Sequence, residues 1–309
     1  MSMSPTLSNA DSLVETVKAR RTTFVRLLWA NPRARAGLII LMAMIVVAIL
    51  APVLAPYNPT STNFIPSQAP SPRHLLGTTL QGQDILSQLI WGSRNSLGVG
   101  LAVGVIATVL SLLIGVLPSI GSRQVNTIFA TVTNIVLILP GLPLLIVLSA
   151  YLHSSGAFTI AAVIGFTGWA FGARTLRSQV MTLRQRDFVI AARLAGSSQL
   201  RLLVREILPN MLSLVMANFM FSILFGILSE AGLQFLGLGN VNAVSWGSII
   251  YWSENGSALL LGMWWWFIPP GAAIALVGIA LALVNSGIDQ VSNPRLRTVA
   301  KTKKGGILR

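Results

Sequence analysis

Six runs of apolar, almost uncharged residues constrain this chain more than anything else in it: Ala36 to Pro56, Leu97 to Ile120, Thr127 to Leu152, Ala157 to Gly172, Leu208 to Phe235 and Met263 to Val284. A helix needs about 20 such residues to cross the hydrocarbon of a bilayer. The fourth run is the shortest of the six and only just long enough. Lipid offers no partner for an unpaired backbone amide, so the runs are expected to be helices, and the period-two alternation of a membrane barrel is missing. Hydrophobic residues make up 53% of the chain and charged residues 10%, against about 25% charged in a water-soluble domain. These observations predict an all-α membrane protein with six transmembrane helices.

The charge is lopsided as well as sparse. A net charge of +14 and a pI near 11.7 would suit a nucleic-acid binder, but the basic residues are not gathered in one polar domain, so nucleic acid is not expected as a partner. They lie in short connectors. With the N-terminus inside, 20 of the 22 Lys and Arg residues fall on the inner side, and only Arg73 and Arg94 fall outside. That bias predicts a multi-pass membrane protein with both termini on the inner side. Cysteine is absent, so there is no disulfide framework and no thiolate ligand or nucleophile. The basic N-terminus lacks the short apolar core and cleavage site of a signal peptide.

The connectors differ in character. Residues 1–35 form a cytoplasmic N-terminal segment, in which Asp11 to Trp29 carries Leu13, Val14, Val17, Phe24, Val25 and Leu28 among basic residues. This pattern predicts an amphipathic helix lying on the inner leaflet. Residues 36–96 hold the first span and an external stretch, Tyr57 to Ser96, that reads as irregular and then as a short helix along the membrane surface. Residues 97–294 form the transmembrane core, and residues 295–309 a basic cytoplasmic tail. No inverted internal repeat is visible.

Asp187 to Pro209, DFVIAARLAGSSQLRLLVREILP, is a basic helix-turn-helix between two apolar runs. Phe188, Ala191, Ala192 and Ala195 recur at i, i+3, i+4 and i+7 and line one helix face with one large anchor and three small side chains. Gly196 with Ser197 and Ser198 breaks the helix, and a second helix starts near Gln199. Pro209 is expected near the first turn of the fifth span, where its missing amide hydrogen matters little. From spacing alone, an ordinary amphipathic helix packed on the bundle is equally consistent.

Ala191, Ala192 and Gly196, followed by Leu208-Pro209, resemble the EAA loop of ATP-binding-cassette (ABC) importer permeases. HLLGTTLQGQDILSQLIWGSRNSL on the outer side, SEAGLQFLGLG around Glu230, SWG at Ser245 to Gly247 and NPRLR at Asn293 to Arg297 are similar to the dipeptide/oligopeptide branch of that family. The resemblance runs from about Phe24 to Arg297. It implies a type I importer permease fold, a second homologous permease, two ATPase subunits or domains, and an external solute-binding protein. It also implies that the EAA loop, residues 187–209, is a coupling helix seated in a cleft of the ATPase. Asp187, Phe188, Ile190, Ala191, Ala192, Arg193, Ala195 and Gly196 are the positions carried over. Ile190 stands where the family has glutamate, and Glu206 where an isoleucine is common.

The residues themselves agree with that division of labour. No GxxxxGK[ST] phosphate loop occurs, so the chain is expected to be no enzyme and to bind no cofactor, with ATP and Mg belonging to the partner ATPase. An ion-coupled secondary transporter is the rival reading, and a structural adaptor without transport a further one. Ionisable groups near the spans are few, Glu230 and Asp289, and both are expected near helix ends. For Glu230 a solvated or hydrogen-bonded interfacial carboxylate is the expectation. Pro140, Gly141 and Pro143 are expected to kink the third span, as a gating bend or as static packing. Pro269 and Pro270 are expected in the first turn of the sixth helix, with Trp264, Trp265 and Trp266 in an aromatic belt at the outer interface. WWWFIPPG also resembles members of the branch that serve oligosaccharide systems, so peptides and oligosaccharides are both open as cargo. Asn285, Asp289 and Asn293 are placed to cap the inner end of that helix. His74 and His153 have no evident carboxylate partner, and no metal site is expected.

Overall fold

A computed structural model describes Trp29 and residues 31–151 and 156–292. The rest of the amphipathic segment expected over Asp11 to Trp29, the basic tail, His153 and Asn293 lie outside the described residues. Among the described residues the secondary structure is helical: α1 (Pro32–Ile49), α2 (Ile85–Leu110), α3 (Arg123–Ile138), α4 (Gly141–Tyr151), α5 (Ala157–Leu183), α6 (Asp187–Leu194), α7 (Leu212–Phe235), α8 (Trp246–Asn255) and α9 (Trp264–Ser292), with short 3-10 and π segments between some of them. Five helices are long and apolar enough to cross a bilayer, and α3 with α4 makes a sixth crossing, bent by 84° at the break between them.

That α3 and α4 together cross follows from what lies at each end of their neighbours. Arg184, just past α5, donates through Nη1 to the carbonyl of Ser119, just past α2. At the other end Ala157, the start of α5, lines one small cavity with Asn95 of α2. The chain therefore leaves α2 at the basic end of the bundle and enters α5 at the opposite end.

The single kink expected in the third span is a full break. Pro140 has no amide hydrogen to continue the ladder, and α4 restarts at Gly141. Pro143 then falls in the first turn of α4, where an amide hydrogen would be unpaired anyway, so it removes no helix bond. Other boundaries also differ. The second span begins at Ile85 rather than Leu97, because Asp84 caps it through Oδ2 on the Ser87 amide at 2.8 Å; GQDILSQLIWGSRNSL supplies its first turns and not a surface helix. The fourth span runs to Leu183 and the fifth starts at Leu212. Pro209 sits before that start, in a 3-10 turn that follows a π turn over Leu202–Ile207. The same device, π turn then 3-10 turn, ends the second span at Ser111–Val116 and Leu117–Ile120 around Pro118. In each case proline cannot donate to the carbonyl four residues back, and the ladder widens by one residue before it.

Helix contacts are made through small residues, as packing without a hydrophobic drive between helices requires. Gly37 of α1 faces Ala280, Leu283 and Val284 of α9, and Gly104 of α2 faces Ile223 and Phe219 of α7. Gly172 of α5 is the tightest polar crossing, facing Asn218 of α7 and Ser111, whose Oγ would lie 2.5 Å from a Cβ at this position. Ser111 in turn donates to the Trp169 carbonyl at 2.8 Å. Gly172→Leu is therefore expected to cost about 1–3 kcal/mol or more through overpacking. Thermal unfolding of the purified chain measures this, with Gly98→Leu, where a side chain meets open space, as the neutral control.

The segment between α1 and α2 contains one buried acid–base pair. His74 Nδ1 lies 2.9 Å from Asp84 Oδ1, and the imidazole completes a cluster of tilted rings with Tyr57 and Phe64, whose centroids are 5.2 and 4.6 Å away. His74 thus has the carboxylate partner that its sequence neighbourhood does not reveal. The tryptophan tract is also placed differently from expectation. Pro269 and Pro270 lie inside α9, beyond its first turn. Trp264 is half-exposed, but Trp266 is fully buried and Trp265 packs against the same core as Ile85, Trp246 and Ile249. The close approach of Gly77 to Trp265 and of Gly256 to Trp266 holds both rings under the outer segment.

Candidate functional site

At the basic end, α6 has one side committed to its own chain. Val189 is 0% exposed and packs in a cluster with Val116, Leu176, Val180, Leu183, Leu202, Leu203, Ile207 and Met211, against which Ala192 also rests. Asp187 in the first turn and Arg193 in the last suit the helix dipole. The helix stops in a Schellman arrangement: the Ser197 amide donates to the Ala192 carbonyl at 3.1 Å and the Gly196 amide to the Arg193 carbonyl at 3.0 Å. Gly196 has φ +83°, the left-handed conformation expected of it, which closes this motif. Ser198 caps the next turn by accepting from the Arg201 amide.

The other side of α6 is free. Phe188 is 41% exposed, Ile190 43% and Leu194 84%, and Ala191, Ala195 and Gly196 are exposed beside them. The four-residue face drawn from spacing is thus split: Phe188, Ala191 and Ala195 look outward, while Ala192 turns toward the chain's own core. Leu194, which spacing did not single out, is the most exposed apolar side chain of the helix.

The end of α5 and the connector carry Arg174, Arg177, Arg184, Arg186, Arg193, Arg201 and Arg205, with Asp187 and Glu206 as the only acids in that stretch. None of these basic groups lies within 4.0 Å of an acid; among the described residues the one close acid–base pair is His74 with Asp84. Arg177 Nε instead donates to Asn126 Oδ1 of α3 at 2.9 Å. Burial, and secondarily the nearby Arg193 charge, lower the Arg184 guanidinium from its usual value. The arrangement is a small apolar knob on a basic connector, tied through Arg184 to Ser119 beyond the C-terminal end of α2 and through Val189 to the C-terminal end of α5. It holds no grouping for acid-base or nucleophilic chemistry.

Pro140, Gly141 and Pro143 are exposed at the break. The helix they start packs elsewhere, through Leu145 against Val99, Val103, Ile160, Ile164 and Leu233. The structure does not bring them near α6. Among the described residues there is no group of three or more His, Asp or Glu side chains that could hold a metal.

Comparison with known proteins bears on the same segments. Residues 107–298 match the family model described as binding-protein-dependent transport system inner membrane component. Residues 22–71 match the N-terminal TM domain of oligopeptide transport permease C. The chain is 34% identical over 267 residues to a protein of Brucella suis biovar 1 provisionally assigned as a peptide transport system permease, covering 85% of this chain and 88% of that one. It is 30% identical over 287 residues to the oligopeptide transport system permease protein OppC of Mycobacterium tuberculosis, covering 92% and 97%.

Proposed function

The chain belongs to the family of binding-protein-dependent transport system inner membrane components, and on that premise we propose that it lines half of the translocation path of an ATP-driven importer whose cargo is peptides. The observation that carries this reading is the match over residues 107–298, which takes in the basic connector and the apolar knob on α6 together with four of the crossings. The knob is the docking element for an ATPase subunit, and ATP and Mg are held there and not by this chain. Phe188, Ile190, Ala191, Leu194 and Ala195 enter the ATPase cleft, and Gly196 fixes the angle at which they do so. A second permease completes the path, and a solute-binding protein delivers cargo at the outer face.

Force transmission follows from packing. Val189 and Ala192 seat α6 on residues from the inner ends of α2, α5 and α7, and close-packed interiors move as units rather than deform. A displacement of α6 by closure of the ATPase pair therefore carries these three ends together, while the break at Pro140 lets the outer half respond separately. Peptide cargo is favoured by the names of the relatives. The oligosaccharide reading leaned on the tryptophan tract, and Trp265 and Trp266 are core residues, unavailable as a sugar platform.

Both termini and the connector are assigned to the cytoplasm of a prokaryotic cell. Because the chain has no native cysteine, Ser197→Cys tests this cleanly: an impermeant maleimide should label it only after permeabilisation, and labelling in intact cells would invert the topology. Transport that survives an uncoupler and stops on ATP depletion separates this reading from an ion-coupled transporter.

A further inference from the structure

The turn between α8 and α9 presents consecutive leucines to its surroundings: Leu259 is 70% exposed, Leu260 87% and Leu261 58%. Single exposed leucines are ordinary, but a run of them on one projecting turn is an apolar patch that calls for a partner. The turn is held at both ends. Ala258 and Met263, on either side of it, are buried in the cluster that contains Ile85, Trp246, Ile249 and Trp266. Ser257 and Gly262 take left-handed φ of +51° and +69° and lead the chain out and back. The Leu261 amide donates to the Ser257 carbonyl at 3.1 Å, that of Gly262 to Leu259 at 3.2 Å and that of Met263 to Ala258 at 2.8 Å. Those amides need nothing from water, which lowers the cost of entering lipid.

The depth of the turn is set by α9, which begins at Trp264. From Trp264 to Val284 that helix extends about 30 Å, the thickness of the hydrocarbon, so Trp264 falls at one edge of it. Trp264, Ile268, Leu276 and Ile279 are exposed on one side of α9, and the leucines directly precede the first of them. No charged residue stands between Glu254 and Asp289. The end concerned is the one opposite α6, because Ile85, the first residue of α2, shares a cluster with Ala258 and Met263, while the other end of α2 leads to Ser119 and Arg184.

We propose that Leu259, Leu260 and Leu261 insert among the upper acyl carbons of the nearer lipid leaflet, beside Trp264, and anchor α8 at a fixed depth. A lipid surface fits this turn better than a protein does, since the leucines and Gly262 offer neither the Trp, Tyr or Arg anchors of a binding hot spot nor any side-chain hydrogen bond. Lipid asks for neither. The anchored helix is also a lid: its first residues close over Glu230, which is 1% exposed. Ser96 Oγ donates to Glu230 Oε2 at 3.3 Å and accepts from the Trp246 amide at 3.1 Å, so the depth of α8 decides whether that carboxyl group stays covered.

Because the chain has no cysteine of its own, Leu260→Cys in the purified full-length protein can be labelled with bimane and reconstituted into phosphatidylcholine vesicles, with or without lipid that carries a nitroxide near the carbonyl end of its chains. Asn63→Cys, exposed in the segment between α1 and α2, is the aqueous reference. The nitroxide lipid should quench the label at Leu260 at least about twofold more than at Asn63, and less when the nitroxide sits at the chain end, as insertion by roughly 5–10 Å requires. Equal quenching at the two positions would overturn the anchor. A label shielded from aqueous iodide yet untouched by nitroxide lipid would place the turn against protein, such as a second copy of the chain, and overturn it as well. Leu259→Cys gives the same readout should the Leu260 variant fail to fold.

Discussion

Asp84→Ala is expected to destabilise the purified chain by about 2–4 kcal/mol, from the loss of a helix cap together with buried hydrogen-bond partners left unpaired. The carboxylate does three things at once: it holds His74, caps α2 on the Ser87 amide, and accepts from Ser87 Oγ at 2.6 Å. Ser87 Oγ in turn accepts from the Tyr57 amide at 3.1 Å, and Gln88 Nε2 donates to the Pro59 carbonyl at 3.2 Å, so Asp84 supports one of these two side-chain ties between α2 and the segment that precedes it. Asp84→Asn keeps an oxygen for the cap and should cost only about 1 kcal/mol. Thermal or denaturant unfolding in detergent distinguishes the two. Equal losses would mean that the oxygen kept by Asn contributes nothing and that the charge carries the effect, and a small loss in Asp84→Ala would mean that this segment is held by its backbone bonds alone.

Leu194→Asp is expected to abolish transport-linked ATP hydrolysis while leaving insertion and fold intact. Leu194 touches little of its own chain, so its loss cannot act through the core. A charge at the centre of an apolar docking surface costs upwards of about 2 kcal/mol, roughly thirtyfold in affinity. Gly196→Val should give the same phenotype by another route, since a branched residue in the left-handed region costs about 1–2 kcal/mol and opens the Schellman turn. Ala192→Trp is a poor probe by comparison, because its bulk would fall on the cluster beneath α6. The readout is ATPase activity of the reconstituted importer with and without cargo, beside co-purification of the ATPase. Native coupling in Leu194→Asp would remove α6 from the docking surface.

The fold was legible where one physical rule acts alone. Apolar length gives six crossings, and charge bias points to one end for the connectors. The turn at Gly196 was legible because the AGSS sequence leaves glycine as the residue able to close the helix with positive φ. Boundaries were less so: capping by Asp84 moves the start of the second span twelve residues upstream of the apolar run, and nothing in GQDILSQLIWGSRNSL distinguishes a surface helix from the first turns of a crossing one. The outward face of α6 was half legible. Helical spacing groups Ala192 with Phe188, and only the tertiary cluster under Val189 decides which of them turns inward. The His74–Asp84 pair was hidden because it depends on the path of an irregular segment, and the burial of Glu230 because it depends on α8 folding back over α7.

The break at Pro140 has a consequence for the life of the protein in its cell. Sixteen residues of α3 and eleven of α4 extend about 24 Å and 16 Å, each short of the roughly 30 Å hydrocarbon, and the carbonyls that Pro140 strands cannot face lipid. Leu139, Pro140, Gly141, Leu142 and Pro143 are all exposed in the isolated chain, so something other than lipid must cover them. The water of a translocation path, or the second permease proposed above, would meet that requirement. Expression without the second permease is then expected to lower the amount of this subunit, which immunoblotting of membranes would measure.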